Sequence, residues 1–323
     1  MTKKILVIHQ GALGDLVLSF PALVSLKHEK KASVALLCSS ELGKTAHELN
    51  IVDAHFPLES ARFSTLFCGE MTPLVRTFIS DYDTVILISF SDAIEHHLRQ
   101  NHAGEVHRIS PRPPVDEETH VVVHLMRQLQ AKRLLISPSI SCSFPSKAMS
   151  ISSGPDGGLP RQEHLIVMHP GAGSARKRWP VENFVQAATI IRRENIGEVV
   201  FLVGPAESDL APALKSRSNG NFRVCEVSDP FYLMGLVRQA RCLIGHDSGV
   251  THLSAFMETP TVAIFGPSNP KRWSPVGPAT RVLRGAVDCT PCFETDAVNC
   301  EDPKCLDGVS VNMVLDAVRD LAS

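Results

Sequence analysis

Residues 242–253 have the sequence CLIGHDSGVTHL. The first part is short and apolar, as in a buried β-strand, and the second part begins like a helix. Asp247, Ser248 and Gly249 lie where the strand is expected to pass into the helix. The free backbone N–H groups and the positive end of such a helix favour an anion. The stretch therefore predicts a phosphate-binding turn in an α/β fold.

Apolar strands and helices alternate through the rest of the chain in the same way. Strands are predicted at residues 3–10, 32–38, 52–58, 84–90, 106–109, 165–169, 198–203, 223–227 and 261–265. Helices are predicted at residues 16–27, 72–80, 92–100, 119–130, 180–194, 207–217, 232–240 and 310–321. A strand such as 32–38 shows no polar alternation, which is typical of a parallel sheet covered on both faces. The pattern predicts doubly wound, Rossmann-like α/β layers.

The length of 323 residues favours two domains. Residues 137–160 are rich in Ser, Pro and Gly and predict an interdomain linker or a long loop. We therefore expect an N-terminal domain over residues 1–158 and a C-terminal domain over residues 159–323. The carboxyl ends of their parallel strands are expected to face a common cleft. The last helix, within residues 310–323, is a candidate to pack back on the N-terminal domain.

Composition excludes several classes of protein. The 32 basic and 34 acidic residues give a formal net charge of −2, which argues against a general nucleic-acid binder. No apolar run reaches the roughly 18 residues that a membrane helix needs. The apolar start of the chain is broken at His9, Gln10 and Gly11, which favours a first strand over a signal peptide. These features predict a cytoplasmic protein.

The first turn, residues 11–15, has the sequence GALGD. Its glycines, Gly11 and Gly14, allow a sharp turn and a close approach to a ligand. The spacing differs from the dinucleotide pattern G-x-G-x-x-G, which disfavours a nicotinamide enzyme. Asp15 has two interpretations: a general base that takes a proton from an attacking hydroxyl, or a cap of its own helix.

A second turn, residues 169–180, has the sequence HPGAGSARKRWP. Glycine amides followed by three adjacent cations and a helix start predict a diphosphate site, with a solvated basic loop as the alternative. A Walker loop is absent. In a third turn, Glu207 either accepts hydrogen bonds from ribose hydroxyls or complements the helix dipole. His252 either faces a ligand or is merely packed or solvated.

Four cysteines lie close together near the end of the chain: Cys289, Cys292, Cys300 and Cys305. A C-x-x-C pair with two further cysteines can hold zinc. The second pair is spaced more widely than in a typical zinc ribbon. Disulfides or free thiols are the alternatives, although disulfides are disfavoured in a reducing cytosol.

Taken together, the turns resemble the lipopolysaccharide heptosyltransferases, glycosyltransferase family 9. The resembling segments are GALGD (11–15), FPAL (20–23), HPG (169–171), KRWP (177–180), GPAE (204–207), DSGVTH (247–252) and FGP (265–267). The D-[ST]-G-x-x-H segment, followed by a strand and Gly-Pro, is the most specific of these. The resemblance spans nearly the whole chain and implies a GT-B fold of two domains.

The resemblance also implies an inverting transfer of heptose from ADP-heptose. Asp15 would be the catalytic base, and Gly11 and Gly14 would belong to the acceptor-side loop. The donor-binding residues would be Gly173, Ser174, Lys177, Glu207, Asp247, Ser248, Gly249, Thr251 and His252. Some family members carry hydroxyl residues where this chain has Ala172 and Gly173, so phosphate binding there would fall to backbone amides and Ser174. No metal and no cofactor would be needed, because Lys177 and a helix N-terminus supply positive charge.

The implied acceptor is lipid A–Kdo or a core oligosaccharide, which would bring the protein at most peripherally to the inner face of the inner membrane. Three alternatives remain open at this point. They are a transferase of the same fold with another nucleotide sugar, a transferase with an acceptor outside lipopolysaccharide, and a non-catalytic member that binds a nucleotide sugar or a metal.

Overall fold

A computed structural model describes residues 2–67, 70–136, 164–207, 209–287, 289, 291–295, 300 and 303–322. The chain forms two compact units, Met1–Ser153 and Gly154–Ser323. The linker predicted over residues 137–160 lies outside the described residues. The domain boundary after residue 158 lies there too and stays a prediction.

The first unit is a parallel sheet with helices between successive strands. Its strands are β1 (Lys4–His9), β2 (Ser33–Cys38), β3 (Ala54–Pro57), β4 (Thr84–Ile88) and β5 (Glu105–Ile109). Its helices are α1 (Leu13–Lys30), α2 (Ser40–Glu48), α3 (Pro73–Ser80), α4 (Asp92–Asn101) and α5 (Val121–Ala131). The strand order is β3-β2-β1-β4-β5, with every pair parallel.

The second unit repeats this architecture with one more strand. Its strands are β6 (Leu165–His169), β7 (Glu198–Val203), β8 (Arg223–Glu226), β9 (Cys242–His246), β10 (Thr261–Phe265) and β11 (Thr280–Arg284). Its helices are α6 (Val181–Arg193), α7 (Leu210–Arg217), α8 (Pro230–Gln239), α9 (Gly249–Phe256), α10 (Pro270–Trp273), α11 (Lys304–Asp307) and α12 (Val311–Ala322). The order is β11-β10-β9-β6-β7-β8, again with every pair parallel.

These two sheets confirm the predicted doubly wound α/β class. Strands β4, β6, β9 and β10 are buried along their whole length, because helices cover both faces of each sheet. The order of connection reverses between β1 and β4 in the first unit and between β6 and β9 in the second. Ligands of such sheets bind at the carboxyl ends of the strands beside this reversal.

Four elements, α2, α10, α11 and β11, are absent from the sequence prediction, and two of them have a clear physical explanation. Helix α2 was not expected, and it contains Gly43, whose missing Cβ leaves room for the His55 ring within about 3 Å. Close packing on β3 therefore outweighs the low helix propensity of glycine. Strand β11 was not expected either. Its sequence, TRVLR, includes two arginines and suits the exposed edge position that it occupies.

The last helix, α12, packs into the core of the second unit. Val314, Leu315 and Val318 belong to the same buried apolar cluster as Trp179 and Phe184. The predicted packing of this helix on the first domain stays a prediction.

Candidate functional site

The site of the second unit is built on its two central strands. His169, the last residue of β6, is paired with Gly245 of β9. The two strands therefore end side by side at the same edge of the sheet. The loop that follows β6 and the turn that follows β9 are therefore neighbours. This is the point where the order of connection reverses.

An ion pair joins the two segments. Lys177 Nζ lies 2.6 Å from Asp247 Oδ2. The side chains are only 17% and 6% exposed, so water screens their attraction poorly. Both oxygens of the carboxylate are engaged, because His252 Nε2 lies 3.3 Å from Oδ1. The predicted donor residues Lys177, Asp247 and His252 thus form one group.

The surroundings of Asp247 favour its charged form. Burial alone raises the pKa of this carboxyl, but the hydrogen bond from His252 and the positive charge of Lys177 outweigh it and hold the pKa well below its usual range. Asp247 is therefore an anion at neutral pH.

His252 is buried, and its Nε2 faces Asp247. Within the part of the chain that the structure describes, its Nδ1 is buried and has no hydrogen-bond partner. This arrangement places His252 as a partner of the carboxylate.

Hydroxyl groups occupy the start of α9. Ser248 Oγ lies 3.1 Å from Thr251 Oγ1 and 3.4 Å from His169 Nδ1. A Cβ on Gly245 would come within 2.5 Å of Thr251 Oγ1, so this close packing depends on glycine. Gly249 is the first residue of the helix, where backbone N–H groups lack helical partners. Hydroxyl groups and free amides therefore meet at the end of β9.

Glu207 lies buried after β7, the strand next to β6. Its Oε2 accepts a hydrogen bond of 3.1 Å from the Gly204 N–H. Burial raises the pKa of Glu207, against the opposing effects of this N–H and of Arg178. A Cβ on Gly171 would lie 2.6 Å from the Glu207 carboxyl carbon, so Gly171 makes room for this side chain. The turn that was predicted to contact ribose is thus packed directly against the glycine-bearing loop.

Gly173 and Ser174 belong to the same loop and were predicted as donor-binding residues. Their surroundings differ from those of Gly171. A Cβ on Gly173 would meet nothing within 4 Å, so the space beside it is open. Ser174 precedes a single 3₁₀ turn, Ala175–Lys177, and its carbonyl accepts the Lys177 N–H at 3.0 Å. The turn fixes the backbone from which the Lys177 side chain projects.

His246 was not among the predicted site residues, yet it holds the loop in place. Its Nε2 accepts the Trp179 N–H at 2.7 Å, and its Nδ1 donates to the Gly171 carbonyl at 3.0 Å. These bonds require the neutral ring, and burial lowers the pKa of His246 to about 4. His246 therefore binds, through hydrogen bonds, the backbone at both ends of the loop that carries Lys177.

Two further strand-end histidines, His9 and His169, are also buried. Burial lowers the pKa of His169 to about 3 and that of His9 to about 4. His169 is therefore neutral, and its 4.0 Å approach to Glu207 is not an ion pair. Strands β1, β6 and β9 each end in histidine, a repeated pattern that was visible in the sequence.

In the first unit, Asp15 lies in the first turn of α1, directly after β1. Its Oδ2 accepts the Ala12 N–H at 3.1 Å, so it takes part in capping its helix. Gly11 donates its N–H to His9 Nδ1, and a Cβ at this glycine would lie 2.7 Å from the Asp15 Cβ. Gly14 lies in the same helical turn. The cap is thus observed, and the role of Asp15 as a base stays a prediction.

The four C-terminal cysteines carry free thiols. Cys305 is buried, and burial, followed by the proximity of the other three cysteines, raises the pKa of its thiol. Among the described residues, no group of three or more His, Cys, Asp or Glu side chains has an arrangement that could hold a metal ion. Arg176 Nη2 donates to Cys292 Sγ at 3.5 Å, which brings this segment next to the Lys177 loop.

No helix within the described ranges is both long and apolar enough to cross a bilayer.

Two curated relatives share part of their sequence with this chain. Lipopolysaccharide heptosyltransferase 2 of Salmonella typhimurium is 29% identical over 158 residues, which cover 46% of this chain and 44% of that protein. Lipooligosaccharide heptosyltransferase 2 of Campylobacter jejuni is 27% identical over 164 residues, 49% of this chain and 50% of that protein. The chain thus spans about half the length of the curated relatives it matches.

Solved structures match over nearly the whole chain. The glycosyl transferase family 9 protein from Veillonella parvula DSM 2008 has a TM-score of 0.77 at 20% identity, with 99% of this chain and 97% of that chain covered. The E. coli heptosyltransferase WaaC with ADP has a TM-score of 0.73 at 16% identity, with 98% and 99% covered. These matches show the predicted GT-B fold.

The family itself is shown by the sequence profile of glycosyltransferase family 9 (heptosyltransferase), which matches residues 107–301. This match covers more than half of the chain, and it includes the Lys177 loop, the Glu207 turn and the Asp247 turn. The chain belongs to glycosyltransferase family 9, the heptosyltransferases.

Proposed function

We propose that this protein transfers a heptose from ADP-heptose to an acceptor of the lipopolysaccharide core, with inversion at the anomeric carbon. The observation that carries the proposal is the group formed by Lys177, Asp247 and the start of α9 at the ends of β6 and β9. It combines a cation, two hydroxyl side chains and free backbone amides, which suit the diphosphate of a nucleotide sugar.

In this proposal Lys177 and the start of α9 stabilise the negative charge that develops on the departing ADP. The backbone amides of Gly173, Ser174, Ser248 and Gly249, together with Thr251, contact the phosphates. Glu207 accepts hydrogen bonds from the ribose, and Asp247, supported by His252, contacts the donor sugar. The positive charge comes from the protein itself, so the transfer needs no metal ion.

Asp15 acts on the acceptor in this proposal. Its carboxylate takes the proton of an acceptor hydroxyl as the oxygen of that hydroxyl bonds to the anomeric carbon. The bond from this carbon to the phosphate oxygen breaks on the opposite face, so the configuration inverts. The His9–Gly11 hydrogen bond and the close packing at Gly11 hold the turn that presents the carboxylate.

Three of the related proteins support the choice of donor and acceptor. The solved WaaC structure is a complex with ADP. The curated relatives are named for heptosyl transfer to lipopolysaccharide or lipooligosaccharide. We assign lipid A–Kdo or a core oligosaccharide as the acceptor class, with peripheral association at the inner face of the inner membrane.

Binding and transfer can be measured separately. Calorimetry with ADP, UDP and GDP should show preferential binding of ADP. Incubation with ADP-heptose and lipid A precursors, read by mass spectrometry, should show one added heptose with or without EDTA. Preferential binding of UDP or GDP would indicate another donor. ADP binding without transfer of any sugar would indicate a non-catalytic member.

The role of Asp15 is tested by Asp15→Asn, which keeps a capping oxygen but removes the base. We expect unchanged ADP affinity and a fall in turnover of about 10²-fold or more. Asp229→Asn is the matched control, because Asp229 also caps a helix, through the Phe231 N–H. Normal turnover of the Asp15 variant would remove this residue from the mechanism.

A further inference from the structure

Residues 291–295, here called the cysteine segment, are docked on the donor-site strands. The N–H groups of Cys292 and Phe293 both donate to the carbonyl of Pro267, at 2.9 and 3.0 Å. Pro267 follows β10, the strand next to β9. The backbone of the cysteine segment is therefore fixed beside the turn that carries Asp247.

Glu294 anchors the same segment through its side chain. Its carboxylate accepts bonds of 2.8 and 3.2 Å from Arg272 and a third bond, of 2.8 Å, from the Trp273 indole. Arg272 is buried, so this two-pronged ion pair lies away from water. Backbone and side-chain bonds together fix the position of Phe293.

Phe293 faces the cations of the Lys177 loop. The Lys177 ammonium lies 4.0 Å from the centre of the Phe293 ring, and the Arg176 guanidinium carbon lies 5.8 Å from it. The same ammonium is 2.6 Å from Asp247. Lys177 is thus held between a carboxylate and an aromatic face.

The two partners of Lys177 act differently on its charge. Asp247 attracts the ammonium and offsets part of its field with a negative charge. The ring of Phe293 attracts it through its quadrupole and adds no net charge. A second carboxylate at this position would order the lysine equally well but would repel an anionic diphosphate. An aromatic ring orders the lysine and leaves its positive charge available to the ligand.

The geometry points to Phe293 as a positioning residue that holds the Lys177 ammonium for the diphosphate of the donor. The inference rests on the proposed function and extends it, because it makes the cysteine segment part of the donor site. Lysine has a long, flexible side chain, and ordering it before the ligand arrives removes an entropic cost of binding.

The test compares ring-free and ring-bearing substitutions. Phe293→Leu keeps an apolar side chain and removes the ring face, so we expect the Kd for ADP to rise about 3- to 10-fold. Phe293→Tyr keeps the face and should stay within about twofold of the unsubstituted protein. Phe231→Leu, at a half-exposed ring of the same unit, is the matched control and should leave the Kd unchanged.

A double-mutant cycle separates positioning of Lys177 from a merely structural role. In the Lys177→Met background, where weak ADP binding is measured by ligand-observed NMR, Phe293→Leu should cause no further loss of affinity. An equal loss in both backgrounds, or an unchanged Kd for Phe293→Leu, would overturn the inference. If Phe293→Leu lowers the melting temperature, Phe293→Met repeats the comparison with a larger apolar side chain. Absence of ADP binding by the unsubstituted protein would overturn the proposed function and this inference with it.

Discussion

The ion pair between Lys177 and Asp247 leads to a quantitative prediction for Lys177→Met. The substitution removes the cation, keeps most of the side-chain volume and leaves a carboxylate that is 6% exposed without its ionic partner. Breaking a buried pair by removing one partner costs roughly 3–5 kcal/mol. Asp247 retains its contact with His252, which offsets part of that loss. We therefore expect the second unit to lose about 2–3 kcal/mol of unfolding free energy at neutral pH.

The same variant should respond differently to acid. In the unsubstituted protein the pKa of Asp247 is lower when folded than when unfolded, so its stabilising contribution is present at neutral pH and is lost as the pH falls through that low range. Without Lys177, burial and the contact with His252 remain but the lysine no longer lowers the pKa, so the folded pKa of Asp247 rises from its low range. The carboxylate of the variant is therefore protonated at a higher pH than that of the unsubstituted protein. The difference in unfolding free energy between the two proteins should shrink as the pH falls from 7.5 into the acid range.

Urea unfolding followed by circular dichroism measures both effects. A loss of 2–3 kcal/mol corresponds to a fall of about 1 M in the urea midpoint. The double variant Lys177→Met with Asp247→Asn removes both charges, so it should recover most of the stability. It should not recover ADP binding, because the cation is still missing.

Two results would refute this reasoning. An unchanged midpoint for Lys177→Met would mean that the pair contributes no net stability. A double variant no more stable than Lys177→Met would mean that the lost stability comes from packing and not from the unpaired carboxylate.

The remaining predictions concern the strand-end histidines and the glycines of the loop. His169 and His246, with folded pKa values of about 3 and about 4, bind protons more readily when unfolded, so the urea midpoint should fall as the pH drops below about 6.5. Each histidine changes the unfolding free energy by up to about 1.4 kcal/mol per pH unit. His246→Gln should therefore make the urea midpoint less dependent on pH. An unchanged slope of the midpoint against pH would contradict this. Gly171→Ala forces a Cβ against the buried Glu207 side chain and should cost about 1–3 kcal/mol in thermal or urea unfolding. Gly173→Ala, where the added Cβ meets nothing, should stay within about 0.5 kcal/mol, and equal effects at the two glycines would contradict the packing argument.

The sequence predicted the location of most elements because their signals are local. An unbroken apolar run such as β9 indicates a strand buried on both faces, and the polar turn that follows it indicates the carboxyl end. It could not predict α2, whose glycine is tolerated only because His55 packs over it. Nor did it predict β11, whose arginines are compatible with a strand only at the edge of a sheet.

The residues themselves predicted the candidate site as separate pieces, and only the resemblance to a family implied that these pieces form one donor site. The loop that bears Lys177 and the turn that bears Asp247 are distant in sequence, and each was identified from its own glycines and polar residues. His246 was missed because its role is to bind backbone groups at both ends of a loop that lies far from it in the chain. Phe293 was missed because nothing near it in sequence indicates that its ring faces a lysine.

The sequence by itself thus determined the class of fold, the order of its elements and the residues at the end of each strand, because hydrophobic periodicity and turn chemistry act over a few neighbouring residues. The tertiary structure alone decided that β6 lies beside β9. Strand order is set by how helices and strands pack over the whole sheet, and no local pattern encodes it. That one adjacency brings a cation, a carboxylate and a helix start together, and so creates the site.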